Sequence, residues 1–396
     1  MYNIIVLLKN YCSGLMKIDI IIKSALLLSI SITFNVFYAD AQVNGTNTNG
    51  GSSSGALLTA VPFLTISPDA RSGAIGDAGV ALSNDKNANY WNPSKLAFIE
   101  NGDQLSLSYS PWLRRLVPDI NLAYLSYAHK LDDRNVIGLS LKYFNLGKIQ
   151  LVDINQQEQG TYTPNEFAID ASFARKFGEN FSLGTSLRYI YSNLSNGSFF
   201  TGQQTKAGQA VAADVSLTYK KPTELLGTDD LFALGVNISN IGSKISYTET
   251  GQKYFLPTNL RVGVANTWYL DTYNEITATL DANKLLVPSN PNSTASVPAG
   301  IFGSFTDAGF SGELKEINFG GGLEYWYNHQ FALRTGYFYE NPNLGNRKYL
   351  TLGVGLRYEA FNLDFSYLVA NEQQSALANT VRFTLGYSFG KNPSNK

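Results

Sequence analysis

Residues 380–389 read Thr-Val-Arg-Phe-Thr-Leu-Gly-Tyr-Ser-Phe. Val381, Phe383, Leu385, Tyr387 and Phe389 share one parity, and Arg382, Thr384, Gly386 and Ser388 share the other. Strict period-two alternation is the mark of a strand with one apolar and one polar face. The stretch ends in aromatics and is followed by a short polar tail, residues 391–396. A closing strand of this kind suits an outer-membrane β-barrel, which turns an apolar face to lipid and must pair its free edges to complete the ring. Taken alone, the stretch fits the last strand of a soluble β-domain equally well.

Upstream, the alternation repeats from residue 103 onward. It predicts strands near 103–110, 119–130, 135–146, 165–176, 181–193, 209–220, 230–240, 258–270, 274–284, 316–328, 330–340, 347–358, 360–370 and 379–389. These are about fourteen segments of a length that a tilted strand needs to cross a bilayer. The expected fold is all-β, a transmembrane antiparallel β-barrel over residues 101–390. Links after the even-numbered strands are short, as at 131–134 and 177–180, with the link after the sixth somewhat longer. Links after strands one, three, five, seven and nine are long: about 111–118, 147–164, 194–208, 241–257 and 285–315. Outer-membrane barrels sort their connections in this way, with the short turns periplasmic.

Charge parity points in the same direction. Away from strand ends, Lys142, Asp170, Arg188, Asp214, Arg261, Asp281, Glu324, Arg334, Arg357, Asp364 and Arg382 fall on the face opposite the apolar residues. A Lys or Arg facing lipid at the midplane would cost roughly 2–4 kcal/mol, whereas a lumen face imposes no such cost. The mixed signs predict ion pairs across the lumen or to a plug. Asp103, Arg175, Lys284 and Lys348 break the parity only at strand ends.

Composition agrees. Charged residues are 15% of the 396, below the roughly 25% of soluble domains. No stretch after residue 41 approaches the roughly 18 consecutive apolar residues of a membrane helix. The net charge of −1 gives no sign of a nucleic-acid partner. Residues 1–41 read as a presequence: Lys17 and Lys23, an apolar run from Ala25 to Tyr38, then the small-x-small site Ala39-Asp40-Ala41. The mature chain is expected to begin at Gln42. Cys12, the single cysteine, lies in that presequence. Residues 42–56, rich in Asn, Gly, Ser and Thr, read as a flexible lead.

Residues 57–100 have no strand pattern. Ser67-Pro68-Asp69 reads as a helix start with Ser67 as N-cap. The small residues that follow, Gly73, Gly76 and Gly79 among them, make sense where a segment passes close to other backbone. A second short helix is expected at Asn92-Pro93. The simplest role for this segment is a small helical hatch in the lumen. There is no zinc motif, no P-loop and no basic stripe. His129 and His329 lie near short turns without a cysteine or carboxylate cluster at metal spacing. The chain is therefore expected to be no enzyme and to need no cofactor.

Residues 62–81, Pro-Phe-Leu-Thr-Ile-Ser-Pro-Asp-Ala-Arg-Ser-Gly-Ala-Ile-Gly-Asp-Ala-Gly-Val-Ala, and 87–98, Asn-Ala-Asn-Tyr-Trp-Asn-Pro-Ser-Lys-Leu-Ala-Phe, resemble the hatch of the PorV family. These are outer-membrane proteins of the type IX secretion system. The matching candidate hatch residues are Pro68, Asp69, Arg71, Gly73, Gly76, Asp77, Asn89, Trp91, Asn92 and Pro93. Residues 109–122 and 143–149 are similar to that family's first strands and loop. More distantly, a plug with fourteen strands resembles the FadL fatty-acid transporters, with Asn92-Pro93-Ser94 where that hatch has Asn-Pro-Ala.

The resemblance implies a location in the outer membrane of a Gram-negative bacterium, with loops at the cell surface. It implies binding of the C-terminal signal domains of secreted cargo, docking at the giant translocon barrel, and delivery to an attachment complex that includes the peptidase PorU. The sequence offers two compatible outer loops as candidate contacts. One holds Trp112, Leu113, Arg114, Arg115, Leu116 and Val117. The other holds Leu286, Val287, Ile301, Phe302, Phe305 and Phe310. Either could instead fold over the barrel mouth as a lid. The competing reading is a FadL-like transporter of a hydrophobic small molecule, against which the charged lumen face weighs.

Overall fold

A computed structural model describes residues 57–390 apart from 84, 101, 114–118, 153–156, 196–198, 201–202, 226, 250, 291–292, 371–376 and 378. The presequence and lead expected over 1–56, and the tail over 391–396, lie outside the described residues.

Alternation over residues 103–389 becomes a single closed sheet. Its strands are β1 (Asp103–Pro111), β2 (Asn121–Lys130), β3 (Asn135–Asn145), β4 (Asn165–Phe177), β5 (Phe181–Asn193), β6 (Gly208–Leu225) and β7 (Thr228–Gly242). They continue as β8 (Asn259–Tyr269), β9 (Asn274–Leu285), β10 (Asn318–Tyr327), β11 (Phe331–Tyr339), β12 (Lys348–Tyr358), β13 (Phe361–Ala370) and β14 (Val381–Phe389). Each strand pairs antiparallel with the next. The ring closes where β14 meets β1, Asp103 opposite Phe389 and Tyr109 opposite Phe383. The stretch at residues 380–389 is thus the closing strand, and the fourteen-strand antiparallel barrel expected from the alternation is the observed fold.

Burial along each strand is inverted relative to a water-soluble domain. In β14 the side chains of Arg382 and Thr384 are 2% and 3% exposed, whereas Phe383 and Leu385 are 45% and 49% exposed. Leu107, Leu139, Leu187, Leu333 and Leu363 repeat the outward apolar pattern around the wall. Among the described residues no helix is long and apolar enough to cross a membrane. The crossing is made by strands, whose backbone groups are all paired around a ring that has no edge.

The two ends of the barrel differ. At one end the links are 131–134, 178–180, 226–227, 270–273, 328–330 and 359–360. At the other they are 112–120, 146–164, 194–207, 243–258, 286–317, 340–347 and 371–380. One expectation needs correction. The link after β6 was expected to span about 221–229, but pairing continues from Lys220 opposite Ala233 to Leu225 opposite Thr228. This hairpin runs on past the apolar belt with exposed Lys221, Thr223 and Glu224. Where both faces meet water the apolar alternation disappears although the ladder persists. The long loops also carry structure that the pattern did not announce. There is a hairpin, Ile149–Val152 with Glu158–Tyr162, and a minimal one, Phe199–Phe200 with Gln203–Gln204.

Residues 57–99 pack inside the ring as short helical turns. Helix α1 is a single turn, Ala70–Gly73. Its cap is Asp69, not Ser67 as expected: the Asp69 carboxylate accepts a hydrogen bond from the Ser72 amide at 2.9 Å. Pro68 therefore precedes the cap instead of occupying the first helical position. Helix α2 (Ala88–Trp91) follows, and Asn92 then caps a 3-10 turn, Pro93–Phe98, by accepting from the Ser94 amide. Ala70, Ala74, Ile75, Ala78 and Val80 are fully buried against the inner wall. In the loop 286–317 lie two more helices, α3 (Val297–Gly303) and α4 (Gly309–Lys315).

Candidate functional site

The hatch is fixed to the wall by polar contacts from many strands. On β10, Glu324 receives Arg71 through Nε at 2.9 Å and Nη2 at 2.7 Å. Glu324 also receives Arg334 of β11 at 2.6 Å, and Arg334 reaches Asp364 of β13 at 2.7 Å. This alternating series spans three strands and the hatch, and its acids and bases compensate one another's burial. Burial opposes the charge on Arg71, yet Glu324 beside it raises its pKa above the ordinary arginine value. Arg382 of β14 pairs with Asp77 at 3.0 Å, and Tyr349 of β12 donates to the same carboxylate at 2.5 Å. On β9, Asp281 accepts from the amides of Gly79 and Val80 at 2.7 and 2.9 Å.

The remaining hatch residues are placed as tightly. Asn89 donates to Ser126 of β2 at 2.9 Å. Asn92 donates to the Val80 carbonyl inside the hatch and to Leu217 and Thr218 of β6. Trp91 donates its indole proton to Asp69 at 2.6 Å. Burial and, after it, the nearby Asp85 push the Asp69 carboxyl up to about 6. Burial and then the Arg357 guanidinium bring Lys86 down to about 8. Gly76 has φ +72° and donates to Thr351 at 2.9 Å. A Cβ there would run into the carbonyls of Tyr337 and Gly321, and the facing Gly320 and Gly336 have no room for one either. Gly73 lies against the Arg382 guanidinium. The small residues of the hatch thus meet a glycine patch on β10 and β11. The sequence signal for that patch, Gly320-Gly321-Gly322, is plain once the facing segment is known.

A second charged group spans β4 to β7. Arg188 links Asp170 through Nε and Asp214 at 3.0 Å, and also donates to Asn240. Arg357 faces inward over the Trp326 ring at 4.5 Å. Lys142, not singled out as a site residue from sequence, donates to the Ile66 carbonyl at 2.5 Å and lies over the Tyr90 ring.

Above the hatch, at the long-loop end, the lumen holds a cavity of about 140 Å³. Trp91, Trp112, Tyr349 and Phe338 give it aromatic walls, and Asn259, Asn283 and Asn318 give it amides. Three guanidinium groups line it. Arg382 is matched by Asp77, and Arg347 by Glu340 at 2.7 Å. Arg261 instead donates to the Tyr90 hydroxyl at 3.1 Å and stacks over Tyr90 and Trp91. Among the described residues no carboxylate is within ion-pair distance of Arg261. Sequence reasoning placed Arg261 in the lumen, but it did not single out Arg261 or Arg347 for this mouth.

The loop residues expected to make outside contacts divide. Trp112 is only 9% exposed and packs with Val61, Phe63, Leu122 and Phe144. Leu113 lies partly buried on that cluster, and Leu286 and Val287 are buried. These four side chains form part of the barrel mouth and do not project from it. Ile301 is half-buried, whereas Phe302, Phe305 and Phe310 are exposed. Arg114, Arg115, Leu116 and Val117 lie outside the described residues. At the short-turn end His129 meets Asp103 at 2.7 Å and His329 meets Glu275 at 3.6 Å. Asp307, Glu313 and Glu316 come together closely enough for a cation. Lys284 already supplies positive charge there, 2.7 Å from Glu313 and 2.5 Å from Glu316.

A family model for type IX secretion system protein PorV matches residues 49–292. The chain belongs to the PorV family. With the closed barrel, this makes it an outer-membrane β-barrel protein. No curated protein matches it. Among solved structures it is similar to the Pseudomonas putida toluene transporter TodX, at 12% identity and a TM-score of 0.49, over 81% of this chain and 98% of that one. It is similar to the Ralstonia pickettii toluene transporter TbuX at 12% identity and a TM-score of 0.44, over 81% and 97%. A Pseudomonas aeruginosa FadL homologue matches at 12% identity and a TM-score of 0.44, over 81% and 98%.

Proposed function

We propose that this PorV-family barrel is a non-enzymatic carrier in type IX secretion. It binds the C-terminal signal domain of secreted cargo at the cell surface, docks at the translocon barrel, and hands cargo to the attachment complex that includes PorU. The observation that carries the reading is the family match over residues 49–292, combined with a lumen occupied by the hatch and its ion pairs. A filled interior leaves the long-loop end as the working surface, and we assign that end to the outside of the cell. The mouth there combines a buried Trp112, three amides and Arg261, which among the described residues has no carboxylate within ion-pair distance, a set able to hold backbone carbonyls or a carboxylate of an extended peptide. Exposed Phe302 on the neighbouring loop offers a further apolar contact.

Affinity recovery of the tagged protein from its native cells tests the reading. Secreted proteins and a very large barrel should come down with it, and Arg261→Gln should reduce cargo recovery while the barrel remains folded. The competing function is transport of a hydrophobic compound. Deletion that abolishes uptake of labelled fatty acid but leaves secretion intact would establish that function and reject the carrier.

A further inference from the structure

Among the described helices, α4 differs in that none of its residues is buried, although it carries Phe310 at 82% and Leu314 at 53% exposure. It does not lie over the lumen. It hangs beside the outer wall, at the long-loop ends of β8 and β9. Between helix and wall is a groove of about 520 Å³, within the range of ligand-holding pockets. Its floor is Leu260, Val262 and Ala282, and its roof is Phe305, Phe310 and Leu314.

Three observations define the occupant. First, the floor continues the membrane belt: Leu260 and Val262 share their outward row with Val264, and Ala282 shares its row with Leu280. The groove is therefore a roofed extension of the surface that already meets hydrocarbon. Second, the roof is anchored. Lys284, an outward residue near the end of β9, is clamped by Glu313 at 2.7 Å and Glu316 at 2.5 Å. Ser289 also holds Asp307, with both its amide and its hydroxyl at 2.9 Å from that carboxylate. Third, α3 is seated independently: Gly300 packs on the Phe255 ring, so the connection between the helices is held at both ends. A preformed apolar slot with its polar clamp at the headgroup end fits one hydrocarbon chain lying parallel to the strands.

We infer that the groove between α4 and β8–β9 binds an acyl chain of a membrane lipid. The site is on the outside of the barrel and separate from the lumen mouth. It rests on the barrel fold alone, so it stands or falls independently of the cargo reading. The chain would complete the roof by covering Phe310 and Leu314, which otherwise face water or unstructured hydrocarbon.

The test uses the purified full chain in vesicles of phosphatidylethanolamine and phosphatidylglycerol. The vesicles are doped with a phosphatidylcholine that carries a photoactivatable diazirine near the end of one acyl chain. Adducts in residues 260–284 and 305–317 should exceed severalfold those at the ordinary belt residues Leu350, Leu352 and Leu363. Ala282→Trp, which fills the floor while keeping an apolar outward face, should lower the groove adducts to belt level and leave the belt unchanged. Thr306→Trp makes the same test from the roof if the first variant does not give a heat-shifted, folded band on gels. Even labelling around the wall, or groove labelling that neither tryptophan reduces, overturns the proposal. A photoreactive phenylalanine at position 310 that captures mainly protein in living cells would overturn it too, in favour of a protein partner.

Discussion

At Arg71 a single guanidinium joins the hatch to the wall. Its partner Glu324 is 1% exposed and also serves Arg334. Removing one member of a buried pair typically costs about 3–5 kcal/mol, because the other charge is left without its counterpart. Arg71→Met should fall near the lower end, about 3 kcal/mol, since Arg334 still neutralises Glu324. The measurement is the temperature at which the folded band is lost on gels, with Arg71→Met/Glu324→Gln as the control for coupling. If the double variant loses as much as Arg71→Met and Glu324→Gln lose separately, added together, the pair is not coupled. Asp69 makes a second prediction. Its carboxyl is raised from 3.8 to about 6 by burial and then by Asp85, so the folded hatch holds its proton more tightly than the unfolded chain does. The stability this contributes is fully present below about pH 4 and is lost as pH rises through about 6, amounting to about 3 kcal/mol over the window. Emission from Trp91, which donates to Asp69, should shift in that window, and the shift should vanish in Asp69→Asn. A wild-type profile flat between pH 4 and 7 would contradict the burial argument.

At the scale of elements, the hatch depends on backbone approaching backbone. Gly76 has φ +72° and lies flush against β10 and β11, so Gly76→Ala combines a left-handed strain with a collision against fixed carbonyls. The loss should exceed the roughly 1 kcal/mol of a purely conformational penalty. Gly160 is the matched comparison, with φ +102° and open space around it, and Gly160→Ala should show the conformational part alone. Loss of the folded band on gels reads both penalties, limited proteolysis of residues 57–100 reads the hatch, and equal sensitivity of the hatch in the two variants would mean that it is not packed as described. This contact also marks the limit of what the sequence discloses. The strands were legible because lipid enforces parity along every crossing, so that Arg382 and Phe383 sort without any knowledge of neighbours. The partners of Gly76 were not legible, since nothing local says which wall residues it will face. Helices α3 and α4 escaped for a different reason: they lie in a loop whose residues answer to two surroundings at once, and no single period survives. The same ambiguity hid the burial of Trp112 and Leu286, whose apolar character fits a contact surface and a packed mouth equally.

For the molecule as a whole, the decisive property is that a ring of fourteen strands is filled by the hatch, whose Ala70, Ala74, Ile75, Ala78 and Val80 are fully buried within it. The cavity above the hatch measures about 140 Å³ and a second one, toward the short turns, about 20 Å³. The ion pairs explain why the filling is stable: Arg71 and Asp77 of the hatch meet Glu324 and Arg382 on the wall, and withdrawing the segment would take these partners away, together with the two amides held by Asp281, leaving Glu324 with Arg334 alone. The intact protein in a planar bilayer should therefore show no steady ion conductance. A variant lacking residues 57–100 should conduct if its barrel still forms, which the heat-shifted band on gels reports independently. Its selectivity should be weak, because the bared lumen carries acids and bases side by side and no single-sign field. Steady conductance from the intact protein would show that the hatch does not seal the ring. The long-loop end would then no longer be the sole surface on which the carrier reading depends.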